Sequence, residues 1–134
     1  MMQTKAEAIL SALGFNDDEL SILIVDDNEM AELNGQYRGK PVPTNVLSFS
    51  MQEGEFGGVT NLLGDVVISA DTAFKEAEES GVTLEERLSQ LLVHGILHLV
   101  DYDHERSEEE AEIMEKKSLE LVKLIEKNPL LSAF

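Results

Sequence analysis

The run from Leu91 to Val100 constrains this chain more than any other segment. It is apolar nearly all round a helix, so that helix must lie centrally, with neighbours on most sides. Thr83 and Glu86 form a capping box that opens it. Only His94, Gly95 and His98 interrupt the run, which falls far short of a membrane span. The chain has three histidines in all, at positions 94, 98 and 104. His94 and His98 are four apart and project from one helix face, one turn above the other. That is the spacing by which a helix offers two imidazoles to a single metal ion. With His104 swung back as a third ligand, an open position remains, the makeup of a catalytic zinc site rather than a structural one. A lone histidine is ordinarily a satisfied core or surface residue. The only three of a chain, set at this spacing on a central helix, argue for a site.

Metal–nitrogen distances of about 2.0–2.1 Å demand that the ring nitrogens converge. A straight helix through His104 would carry it about 9 Å along the axis and point it away. The helix is therefore expected to break between His98 and His104, with Asp101-Tyr102-Asp103 as the place, since Asp tolerates left-handed geometry better than most residues. Metzincin proteases share the histidine spacing but carry a glutamate general base after the first histidine. Here that position is Gly95, and no Met-turn follows His104. Peptide hydrolysis is disfavoured.

The net charge of −17 argues against broad binding to nucleic acid, which leaves a basic footprint. Its distribution qualifies that. No Asp or Glu occurs from Leu33 to Gln52, which holds Arg38 and Lys40, or from Arg87 to Val100, which holds His94 and His98. Acid is concentrated elsewhere, notably at Glu108, Glu109, Glu110, Glu112 and Glu115. Screening over about 8 Å at physiological salt lets a local phosphate-reading pocket work on an acidic body. The chain has no cysteine, so a metal must be held by nitrogen and oxygen ligands. Met1 to Glu7 lacks the features of an export signal, and a cytoplasmic protein is expected.

One domain over residues 1–134 is expected, without repeats or linkers. A helix from about Lys5 to Leu13 would bury Ala8, Ile9, Ala12 and Leu13 and stop at Gly14. Leu20 to Val25 is expected as a buried strand. Asp26 and Asp27 cap a helix from Asn28 to about Tyr37, and the glycine and prolines of Arg38 to Asn45 make a loop. Val46 to Met51 and Leu63 to Ser69 form strands, antiparallel across a connection holding Gly54, Gly57 and Gly58. A helix from Asp71 to Ser80 ends at Gly81. Ser107 and Glu110 make a second capping box, opening a last helix to about Lys127 that packs with Ile113, Leu119, Leu121, Val122 and Ile125. The fold class is α+β (mixed α/β): a small mixed sheet of three to four strands, about five helices, and a buried histidine-bearing helix.

His94-Gly-Ile-Leu-His98-Leu-Val-Asp101-Tyr-Asp-His104 resembles the signature of the YbeY endoribonucleases, His-Gly-x-Leu-His-Leu-x-Gly-Tyr-Asp-His. Leu33-Asn-Gly-Gln-Tyr-Arg38-Gly-Lys40 leading to Pro43-Thr-Asn-Val-Leu-Ser-Phe49, and Leu63-Gly-Asp65-Val-Val-Ile-Ser69, are similar to two further family segments. The resemblance runs from about Leu20 to Lys117 and departs at Asp101, where the family has glycine. The family also begins with an additional strand before the first helix, which implies a sheet one strand smaller here.

The resemblance implies a zinc-dependent endoribonuclease specific for single strands, acting in small-subunit 3′ rRNA maturation and ribosome quality control. Implied partners are rRNA, the ribosomal small subunit with its proteins, and an assembly GTPase. In that reading His94, His98 and His104 hold one zinc ion whose bound water is the nucleophile. Arg38, to which the resemblance also points, meets the charge that grows on the phosphate oxygens. Lys40, Thr44, Asn45 and Ser48 line the approach, or are ordinary turn and strand residues. Asp65 orients a histidine or accepts a structural hydrogen bond. Asp103 and Glu105 flank His104 as proton acceptors or as a solvated turn. Two other readings stay open: a non-catalytic ribosome-assembly factor with a structural metal, and a metal hydrolase acting on another phosphoester.

Overall fold

Capping chemistry sets most of the helix boundaries in the computed structural model of this chain, which describes residues 2–14, 19–50, 62–99 and 108–126. Five helices and three strands follow in the order α1 (Met2–Leu13), β1 (Glu19–Val25), α2 (Asp27–Arg38), β2 (Val46–Ser50), β3 (Leu62–Ser69), α3 (Ala70–Ser80), α4 (Leu84–Leu99) and α5 (Glu108–Glu126). The Asp26 side chain accepts from the Glu29 N–H at 2.8 Å and starts α2. Thr83 and Glu86 make both bonds of the expected capping box, at 2.9 and 3.0 Å. The second expected box involves Ser107, which lies outside the described residues, as do Gly54, Gly57 and Gly58.

The sheet is mixed, in the order β1-β3-β2, with β1 parallel and β2 antiparallel to β3. The α+β class and the antiparallel β2–β3 pair are as expected. Helix α4 crosses one face, where Leu91, Leu92, Val93, Ile96 and Leu97 join Val66 and Ile68 in the main core. Helices α1 and α5 complete that layer with Ile9, Leu10, Leu121 and Val122. The opposite face holds α2, whose Met30 packs on Leu47 and Val67.

Three expectations about burial are corrected. Ala8 and Ala12 are exposed; α1 buries Ala6, Ile9 and Leu10, with Leu13 half-buried. These four positions form one stripe at helical spacing, whereas the alanines fall outside it. Among the described strands β1 lies at the edge and is buried only in part, with Leu20 in the core but Leu23 at 48 % and Ile24 at 47 % exposure. A short β-branched run carries no periodic signal to separate those cases. On α5 Ile113 is exposed, while Ser118, Leu121 and Val122 face inward. Arg38 also belongs to the end of α2 rather than to the loop after it.

Polar clasps tie the layers. Lys5 on α1 bonds Ser89 of α4 at 2.8 Å and pairs with Glu126 of α5, which also accepts from Ser89. On the other side, Asp27 accepts from the Ser69 and Thr72 hydroxyls at 2.5 and 2.6 Å, joining the starts of α2 and α3. Those bonds, Ser69 first and Thr72 second, hold the Asp27 carboxyl below the ordinary carboxylate range. A carboxyl depressed by folding stabilises the fold above its unfolded pKa, about 3.9 for Asp, and that contribution disappears as pH falls through the lower native value. Asp27→Asn should therefore be less stable at pH 7 and should lose less stability than the parent below about pH 4. Urea midpoints of both proteins at pH 7 and at acid pH check this; parallel losses would remove Asp27 from the acid response.

Candidate metal centre and phosphate-binding loop

His94 and His98 are brought together by α4 as their spacing predicts. Their Nε2 atoms are 3.0 Å apart and the rings meet edge-on with centroids 4.5 Å apart. Two nitrogens bound to one ion at about 2.0–2.1 Å stand about 2.9–3.4 Å from each other for bond angles between square and tetrahedral. The observed separation falls in that range, so the pair fits as two ligands of a single small cation. Both imidazoles are half-buried, although the helix residues around them are buried. His98 lies in the last described turn of α4, where the negative end of the helix dipole favours positive charge. Among the described residues no third His, Cys, Asp or Glu completes a set with them. His104, with Asp101, Asp103 and Glu105, lies outside the described residues.

Gly95 explains why this helix sits as close to the sheet as it does. A Cβ there would come within 2.7 Å of Val66 Cγ1, 3.2 Å of Val46 Cγ2 and 3.3 Å of Ser48 Oγ. The position that carries the general base in metzincins therefore points into the sheet here. A glutamate at this place would displace the helix instead of reaching a substrate. The absence of a base after the first histidine is thus a packing requirement of this fold.

The acid-free loop is built onto α2. Gly39 caps the helix with φ +71° and its N–H reaches Gly35 O at 3.2 Å; the Lys40 N–H reaches Asn34 O at 3.3 Å. The buried Asn34 side chain donates to Val42 O at 2.9 Å, and Gly35 lets Pro41 approach so closely that a Cβ would lie 3.2 Å from it. Arg38 and Lys40 are exposed on this anchored segment, and Thr44 is half-buried. The segment leads directly into β2, which with β3 touches the histidine helix.

Two candidate site residues have partners within the chain. Ser48 Oγ donates to the Gly95 carbonyl at 2.8 Å, linking β2 to the turn between the histidines. Asn45 Nδ2 donates to both carboxylate oxygens of Glu76 at 3.3 Å, and its carbonyl accepts from the Ser69 N–H at 3.0 Å. Glu76 in turn accepts from buried Arg87, from Nε at 3.1 Å and Nη2 at 2.9 Å, while Arg87 Nη1 donates to Gln90 at 2.9 Å. Both residues thus hold the loop and β2 against α3 and α4. The Asn34 anchor and the Glu76–Arg87 pair were missed in the sequence; a lone arginine on an apolar helix was the available sign. Strand alternation puts Asp65 with Val67 on the α2 face, away from α4, so it does not orient a histidine on that helix.

The chain is thus an α+β domain that sets a two-histidine helix turn on a mixed sheet, with an anchored basic loop leading into β2. Residues 1–126 match the family described as Endoribonuclease YbeY, and the chain belongs to that family. It is 54 % identical over 127 residues to the Endoribonuclease YbeY of Geobacter metallireducens, covering 93 % of this chain and 85 % of that one. It is 58 % identical over 116 residues to the protein of the same name from Aquifex aeolicus, covering 87 % and 73 %. The solution structure of a Thermotoga maritima protein is similar in fold, with a TM-score of 0.66, 28 % identity, and coverage of 92 % of this chain and 78 % of that one.

Proposed function

We propose that this chain is a single-domain, zinc-dependent endoribonuclease that cleaves single-stranded RNA. Its setting in this reading is 3′-end maturation of small-subunit rRNA and ribosome quality control in the cytoplasm, in contact with the small subunit, its proteins and an assembly GTPase. Membership of the family supports the RNase reading. The observation that carries the metal is the 3.0 Å approach of His94 and His98 Nε2.

His94, His98 and His104 would hold the ion. A zinc ion supplies Lewis acidity toward a phosphoryl oxygen and lowers the pKa of water. The chain's own residues position the RNA. Arg38 offers a planar fork to two phosphate oxygens and meets the charge that grows there, from a segment pre-ordered by Asn34 and Gly39. Lys40 adds a second cation, and Thr44 lies further along the same segment. Asn45 and Ser48 keep that segment and β2 in place against α3 and α4.

Arg38→Glu is expected to lower cleavage of a labelled single-stranded rRNA fragment by about 10²–10³-fold while zinc content stays at the parental level. Full cleavage by this variant would remove Arg38 from the site. Loss of parental cleavage on chelation, restored by zinc, checks the metal. A second reading is favoured by one observation: Glu109, Glu112, Glu115 and Glu120 are exposed on α5, a surface suited to basic ribosomal proteins. An assembly factor of that kind would bind such proteins and leave RNA intact with or without zinc.

A further inference from the structure

The most exposed large apolar side chain among the described residues adjoins the most basic part of the chain. Tyr37, the penultimate residue of α2, is 63 % exposed. Its ring meets that of Phe49 on β2 with centroids 4.9 Å apart and planes tilted by 60°. Phe49 is half-buried and belongs to the small core with Met30, Leu47 and Val67. The tyrosine is therefore backed on one side by a ring fixed in the fold, and is otherwise open to solvent. Arg38 follows it directly, and Lys40 lies two residues further on the anchored segment. All 27 acidic residues of the chain fall outside Leu33 to Gln52, so this is where an anionic polymer is least repelled.

The location relates this aromatic to the histidines. On β2, Phe49 lies between Ser48, bonded to the Gly95 carbonyl, and Ser50, which pairs with Gly64. The Leu99 side chain lies 3.0 Å from where a Gly64 Cβ would stand. Phe49 is thus level with the helix turn from Gly95 to Leu99 that carries His98, but on the other sheet face. Among the described strands β2 lies at the edge of the sheet, so no other described strand stands between its two faces on that side.

We propose that Tyr37, backed by Phe49, is a stacking platform for one unpaired base of a single-stranded RNA whose phosphates lie on Arg38 and Lys40. The proposal rests on the RNase reading above and adds the subsite that selects single strands. A base must be out of a duplex to offer its face, and every base has one, so the platform is blind to sequence. Stacking of this kind is worth about tenfold in affinity per base.

The chain has no tryptophan, so Tyr37→Trp introduces a single fluorophore at the platform. Its emission should be quenched by a single-stranded oligoadenylate twelve nucleotides long, and not by a duplex of that length or by inorganic polyphosphate. Tyr37→Ala should weaken binding of the same oligoadenylate by about tenfold and raise KM more than it lowers kcat, and Tyr37→Phe should recover both. Quenching by polyphosphate equal to that by oligoadenylate, or parental affinity in Tyr37→Ala, overturns the platform. If Tyr37→Ala does not fold, the tryptophan variant decides alone. The two readings fail separately. Quenching without cleavage by the parent protein leaves the platform standing and removes the nuclease; cleavage that is indifferent to Tyr37 does the reverse.

Discussion

His98→Ala is expected to emerge from purification without stoichiometric zinc and to leave single-stranded RNA uncut. The physical reason is the pair geometry. With the two Nε2 atoms 3.0 Å apart, each imidazole contributes its nitrogen to the same small volume, and alanine removes one donor outright. Loss of an outer-sphere partner costs metal sites about 10–100-fold in affinity or activity, and loss of a ligand should exceed that. The fold should survive, because His98 is half-buried and alanine is a good helix former. Elemental analysis beside a cleavage assay and a circular dichroism melt separates the outcomes. A folded variant with parental zinc would show that His98 is not a ligand.

Gly95→Ala should have the largest effect on the scaffold. The added methyl meets Val66 Cγ1 at 2.7 Å, and Val66 is fully buried on the central strand. A β-branched side chain in a packed interior has little rotamer freedom with which to yield, so α4 must move away from the sheet. Overpacking of this sort costs about 1–3 kcal/mol, or roughly 4 °C in Tm for each kcal/mol in a domain of this size. Helix movement would also stretch the bond from Ser48 Oγ to the Gly95 carbonyl and shift both histidines, so cleavage should fall with stability. Val66→Ala in the same chain removes the opposing methyl groups and should recover part of the loss. An unchanged Tm in Gly95→Ala would mean that position 95 does not face Val66.

Within the described residues, local patterns in the sequence match the local structure. The Thr83–Glu86 capping box, the Asp26 cap of α2, Gly81 after α3 and the i, i+4 histidines each depend on residues within one helical turn. They hold whatever the rest of the chain does. Burial departs from the local pattern where it depends on partners distant in sequence. In α1 the alanines at 8 and 12 look as apolar as Ala6, but Ala6, Ile9 and Leu10 join the core, with Leu13 packed against it. In β1 the run Ser21 to Val25 has the composition of a central strand, yet it lies at the edge with Leu23 and Ile24 in solvent. Polar residues followed the same division. Asn45 and Ser48 stood in an acid-free loop and suggested substrate contacts. Their side chains reach Glu76, 31 residues away, and the Gly95 carbonyl, 47 residues away, contacts that no local pattern announces.

The amino-acid sequence by itself determined the chemistry this protein can offer: three histidines as its only nitrogen-ring donors, a single acid-free basic loop, no thiol, and a helix obliged by its composition to be central. Spacing alone put two imidazoles on one helix face, because the α-helical repeat is a property of the backbone. Only the tertiary structure decided what those groups stand beside. It set Gly95 against Val66 so that the helix could approach the sheet. It anchored Arg38 through Asn34 and left Tyr37 open against Phe49. Such contacts arise from side chains that the sheet brings together across long separations, and no local pattern in the chain encodes them.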